Sequence, residues 1–158
     1  MKRLAILLLL VIITTAPFAK TNPSTTKSNG TFGLGVIVGE PTGLTAKAWL
    51  DNIHAVDFGL AWSLNEKQSF HLRVDYLWHF RDVFPDKNAT LYVGVGGRLR
   101  VIENQDTKLG VTIPLGFNYE IPRSPVELFV EAVPIVDLTP SSEFDMNGGV
   151  GVRFYFGR

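Results

Sequence analysis

The chain has 158 residues, the length of one domain. Lys plus Arg and Asp plus Glu both number 15, so the formal net charge is zero and no basic excess marks a nucleic-acid partner. Cysteine is absent, which excludes disulfides, a thiolate nucleophile, cysteine metal sites and a lipid-modified cysteine behind a signal peptide.

Lys2 and Arg3 precede an unbroken apolar run over 4–13. That run has the length of a signal-peptide core and is too short to cross a bilayer as a helix. Cleavage is expected after Ala19, although Pro17 departs from the small-residue pattern at such sites. Residues 1–19 are therefore expected to be a cleaved signal peptide. Residues 20–30, rich in Ser, Thr and Asn and without periodicity, form an expected disordered leader. Residues 31–158 form the remaining domain, and no stretch in it is apolar for long enough to make a transmembrane helix.

From residue 31 the pattern alternates with period two. Stretches 31–39, 44–50, 54–63, 70–79, 91–101, 109–119, 126–138 and 146–156 predict eight strands, separated by turn residues such as Pro41, Gly43, Asp51, Asn52 and Pro122. One face of every strand is greasy: Leu34, Val36 and Val38 on the first, Val111, Ile113 and Leu115 on the sixth, Val150, Val152, Phe154 and Phe156 on the last. The other face mixes glycine with charge. Trp49 and Phe129 break the pattern, falling on the polar face by parity.

Two architectures fit: a soluble barrel with a greasy lumen, and a membrane barrel with a greasy exterior. An eight-stranded lumen holds only its own side chains or one small ligand, and the large greasy residues would overfill it. Phe32, Tyr76, Trp78, Phe117, Tyr119, Phe154 and Phe156 also fall at one rim, the rim of the termini, as an interfacial girdle would; the opposite rim offers mainly Trp62. The expected fold is all-β, an eight-stranded antiparallel up-and-down transmembrane β-barrel with short loops, the longest over 81–88.

The signal segment, the alternating strands and the closing Val150-Gly151-Val152-Arg153-Phe154-Tyr155-Phe156 resemble the small OmpA/OmpX-type outer-membrane barrels. Segments 33–44, 75–80, 92–98 and 148–152 resemble more closely a family of short, uncharacterised outer-membrane barrels. The resemblance implies a location in the outer membrane, with the lipid bilayer and the barrel-insertion machinery as partners, and it carries no catalytic residues. Such barrels often end on the aromatic residue, whereas Gly157 and Arg158 follow Phe156 here.

The inward face supplies the candidate site. Lys47, Arg73, Arg98, Arg100 and Arg153 stand with Asp57, Asp75, Glu127, Glu131 and Asp137, and in a narrow lumen they are expected to pair as an ion-pair network that closes it. The alternatives are a narrow pore for ions or small solutes, and a soluble periplasmic barrel binding a small ligand. His71 and His79 also point inward, too far apart on one strand to share a metal ion. A lipid-modifying enzyme would need a Ser–His–acid set on the outer face; Ser63, Ser69 and His71 lie near one another, but His71 points inward by parity. Gly94, Gly96 and Gly97 lie within a strand with no following helix, so they are not a phosphate loop. No catalytic residue, cofactor or metal is expected.

Overall fold

The computed structural model describes residues 31–63, 69–102 and 106–156. The expected signal peptide and leader, together with Gly157 and Arg158, lie outside the described residues. The elements run β1 (Phe32–Glu40), β2 (Gly43–Trp49), β3 (His54–Ser63), β4 (Ser69–Phe80), β5 (Ala89–Ile102), β6 (Lys108–Thr112), β7 (Leu115–Glu120), β8 (Val126–Thr139) and β9 (Glu143–Phe156). All pairings are antiparallel, each strand but the β6–β7 pair lies beside its neighbour in sequence, and β1 pairs with β9 to close the ring.

Nine strands reconcile with eight expected because β6 and β7 are two halves of the stretch 109–119. Both halves pair with β5 on one side and β8 on the other. The interruption falls at Pro114, which has no N–H to give the ladder. Backbone bonds from Ile113 N to Pro134 O (3.0 Å) and from Gly94 N to Pro114 O (2.8 Å) carry the wall across it.

The strands are staggered. The row of paired residues that starts at Gly33 passes through Lys47, Asp57, Asp75, Gly96, Thr112 and Ile135 to Asp145. On β9, Asp145 lies beyond Gly148, the partner of Glu40, so one circuit that starts opposite Tyr155 climbs past the end of β1. A closed barrel with that stagger has strands tilted at roughly 40° to its axis.

Turn chemistry closes the hairpins. At β1–β2 the Thr42 hydroxyl donates to Gly39 O (3.0 Å) and accepts from Gly39 N (3.2 Å). At β2–β3 the Asp51 carboxylate accepts from the Ile53 and His54 amides, both at 2.8 Å, and contacts His54 Nδ1 at 2.6 Å. The slight desolvation of Asp51 would raise its carboxyl, but these bonds outweigh it and hold the group below its ordinary range.

The ring is inside out relative to a soluble domain. Among the described residues, fifteen polar or charged side chains are buried against ten hydrophobic ones, while the apolar face of every strand is exposed. An apolar surface of that extent marks contact with something other than water. The aromatic rim lies as expected, with Phe32, Trp78, Phe154 and Phe156 all exposed on the outer face and Phe80 and Phe84 adding to it. The far rim is richer than Trp62 alone: Phe70 pairs with Trp62 across β3 and β4, and Phe144 stands out near the tip of β9.

Candidate functional site

Alternation delivers every inward charge to the lumen, where three layers follow one another from the rim of the termini. The first is apolar and aromatic. Ala55, Leu77 and Tyr92 pack together with Trp49 against them. The His79 ring sits between Trp49 (4.3 Å between centroids) and Tyr92 (5.3 Å), and its Nδ1 contacts Ile53 O at 3.2 Å.

The second layer is a fully buried ion-pair cluster. Glu127 accepts from Lys47 Nζ (3.2 Å), Arg153 (3.0 Å), Asn118 (3.0 Å) and the Tyr155 hydroxyl (3.1 Å). Arg153 also donates to Asp57 (2.8 Å) and to Thr45 (2.8 Å). Its guanidinium lies 3.8 Å from the centroid of the Phe129 ring. Lys47 Nζ stands over the rings of Trp49 (5.2 Å) and Tyr92 (5.1 Å). Trp49 and Phe129, the two departures from parity, thus serve as ring faces for buried cations. Gly151 leaves the space for the Phe129 ring, which a Cβ there would strike.

Arg73 continues the cluster toward the far rim. It pairs with Glu131 (2.5 Å), Asp75 (2.6 Å) and, more loosely, Asp57 (3.5 Å). Glu131 accepts from the Tyr92 hydroxyl at 2.9 Å, and Asp75 accepts from Thr112. Asp57 therefore lies between Arg153 and Arg73 and joins the groups into one network.

The third layer is at the far mouth. Arg98 forks onto Asp137 (2.8 and 2.7 Å) and reaches Asp145 (2.8 Å). Lys108 pairs with Glu143. Arg100 is only partly buried and comes no closer than 3.9 Å to Asp145. Of the ten charged residues expected from the sequence, nine thus engage at 3.5 Å or less, and Arg100 sits apart at the mouth. Val133 and Ile135, both fully buried, fill the wall of β8 between Glu131 and Asp137.

Sequence reasoning did not single out the neutral donors Tyr92, Tyr155, Thr45, Thr112 and Asn118, nor Asp145. Parity alone places all of them inward; what parity cannot give is which carboxylate each one reaches across the lumen.

Ser69 Oγ lies 3.1 Å from His71 Nε2, and both residues are buried in the lumen. The other ring nitrogen, Nδ1, has no hydrogen-bond partner among the described residues, so no acid among them orients this imidazole as a catalytic set requires. His71 and His79 stand at opposite ends of β4, and no group of three or more metal-ligating side chains occurs among the described residues.

The family described as "Protein of unknown function (DUF3996)" matches residues 23–157. The chain belongs to this DUF3996 family. No curated protein matches it by sequence. Solved structures supply the likeness of fold. The N-terminal β-barrel domain of Pseudomonas aeruginosa OprF superposes with a TM-score of 0.62 at 15% identity, covering 79% of this chain and 96% of that one. A de novo designed transmembrane β-barrel gives 0.55 at 18% identity over 82% and 98%. Neisserial surface protein A gives 0.54 at 14% identity over 79% and 93%. The DUF3996 chain thus has the fold of the small eight-stranded outer-membrane barrels, as the resemblance in its sequence implied. At such identities the likeness is one of fold alone.

Proposed function

We propose that this DUF3996 protein is an outer-membrane barrel, exported through a cleaved signal peptide, whose lumen is a closed plug and whose role is structural or interactive. The observation that carries the reading is the continuous network from Lys47 and Glu127 through Arg153 and Asp57 to Arg73, Asp75 and Glu131, backed by the layer of Trp49, Leu77 and Tyr92. Paired charges of both signs fill the bore, and an eight-stranded ring has no width to spare beside them. The exposed apolar faces and the aromatic rim support a bilayer as the outer partner. The barrel-insertion machinery would be met during assembly. Membrane fractionation tests the reading. The mature protein should resist carbonate extraction, require detergent, and migrate differently on gels before and after boiling. Recovery of folded protein from the soluble periplasmic fraction would overturn it in favour of a soluble ligand-binding barrel.

A further inference from the structure

The greasy outer face of the wall is not equally tall all round. On β1 it holds Phe32, Leu34, Val36 and Val38, and on β2 Leu44, Ala46 and Ala48; on β5 it runs from Leu91 through Val95 to Val101, and on β9 from Phe144 through Val150 to Phe156. The stagger turns these rows into heights. Gly33 lies opposite Tyr155, and the row that leaves it returns to β9 at Asp145, ten residues farther on. A row of paired residues therefore climbs by a little over one residue at each step from strand to strand, and one residue is worth about 2.5 Å of height at this tilt. Measured so from Phe32, the lower ends of the greasy face lie level around the ring: Ala48, Leu91, Leu128 and Phe154 all fall within about 5 Å of it. The upper ends do not. Phe70, Val101, Leu109 and Phe144 stand about 25 Å above Phe32, the height of a full apolar band, whereas Val38 and Leu44 end the face at about 15 Å.

A second observation falls at the same place. Glu40 follows Val38 on the outer parity, is exposed, and stands about 20 Å above Phe32. At that height Trp62 on β3 and Met146 on β9, the strands either side of the β1–β2 hairpin, still present exposed apolar surface. Among the described residues no cation pairs with the Glu40 carboxylate. Thr42, in the turn beside it, is exposed as well. Against a flat bilayer this carboxylate would lie in hydrocarbon, where an unpaired charge is costly. A rigid barrel cannot lengthen its own wall, but lipid adapts at modest cost, and a bilayer beside a short apolar wall thins to match it.

We propose that the β1–β2 hairpin is a membrane-thinning surface, whose partner is the bilayer itself. Beside this hairpin the headgroups and water of the leaflet at the far rim come down by about 5–10 Å, to between Glu40 and Val38. Around the rest of the ring they stay level with Phe70, Val101 and Phe144. Glu40 is thereby hydrated, and Val38 lies within about 5 Å of polar groups. Trp62 on one side and Met146 and Phe144 on the other bound the depression, which confines it to one flank of the barrel. This inference rests on the barrel lying in a membrane, but not on whether its lumen conducts.

The chain has no cysteine, so single cysteines can carry a nitroxide label at chosen points of the outer face. Val38, Val74 and Ile113 stand at nearly the same height, about 15 Å above Phe32, while Ala48 and Leu128 share the lower rim. The Val38→Cys, Val74→Cys, Ile113→Cys, Ala48→Cys and Leu128→Cys variants of the full mature barrel are folded into dioleoylphosphatidylcholine vesicles, with folding checked by gel mobility before boiling. Power saturation then measures the collision of each label with dissolved oxygen and with a water-soluble nickel chelate. The expected result is a nickel-to-oxygen ratio at Val38 severalfold above those at Val74 and Ile113, with Ala48 and Leu128 alike. Equal ratios at Val38, Val74 and Ile113 would overturn the proposal. So would a tilt of the whole barrel in a flat bilayer, which would show as an Ala48 label deeper in hydrocarbon than the Leu128 label. A Val38 label shielded from both reagents would also overturn it, and would point to a second copy of the chain covering the hairpin. Nickel access at all five sites would overturn instead the membrane reading on which the proposal rests.

Discussion

Glu127→Gln is the sharpest probe of the network, because it removes one charge and almost no volume. Glu127 is fully buried and accepts from Lys47, Arg153, Asn118 and Tyr155. Arg153 keeps its Asp57 partner after the change, but Lys47 loses its ion pair and is left charged and fully buried beside Trp49 and Tyr92. Stranding one partner of a buried pair costs about 3–5 kcal/mol. Lys47→Met, by contrast, leaves Glu127 with Arg153 and should cost about 1.5–3 kcal/mol, the worth of a hydrogen bond to a charged group. The double variant removes both members and leaves Arg153 with Asp57, so its loss should fall below the sum of the singles by about 1–3 kcal/mol. Urea unfolding from lipid vesicles, followed by tryptophan emission, gives the three values and their coupling. Additive losses, or a Glu127→Gln barrel within about 1 kcal/mol of wild type, would show that water already solvates Lys47, and the closed lumen would fail with it.

Three further outcomes follow from the same geometry. Val74→Arg or Ile113→Arg places a charge on the outer wall and should lower stability in vesicles by about 2–4 kcal/mol; insertion as efficient as wild type would refute the assignment of faces. Thr112→Val keeps the shape but removes the donor to Asp75, and should cost about 1–3 kcal/mol in the same unfolding assay, with an unchanged midpoint counting against the bond. Asp51 lies outside the barrel wall with its carboxyl held below the ordinary range, so its contribution is complete at neutral pH and is lost as pH falls through that lowered value. NMR titration should find Asp51 more acidic than Asp51 in the His54→Ala variant.

Much of the fold was legible in the sequence because a barrel wall has one rule, alternation, and both of its consequences are visible in residue type. Leu, Val and Phe on one parity and Gly, Arg, Asp and Glu on the other told outside from inside once lumen size was considered. Pro114 was also visible, but whether a proline ends a strand or merely interrupts it depends on its neighbours; here Gly94 N and Pro134 O hold the two halves in line. The site was legible as a set and not as a wiring diagram. Tyr92 and Tyr155 carry hydroxyls to Glu131 and Glu127 across the bore, contacts that depend on the stagger of the ring and not on any local pattern. Trp49 and Phe129 looked like errors of alternation; they fit once Lys47 and Arg153 are seen against their rings.

Closure of the barrel by its charged interior is what we propose for the lumen. Purified wild-type protein, reconstituted into a planar bilayer under an applied voltage, tests it directly. A lumen sealed by Lys47, Glu127 and Arg153 behind Trp49, Leu77 and Tyr92 predicts a bilayer as resistive as one without protein. Steady single-channel currents from folded wild-type barrels would contradict it, and would make the protein a pore.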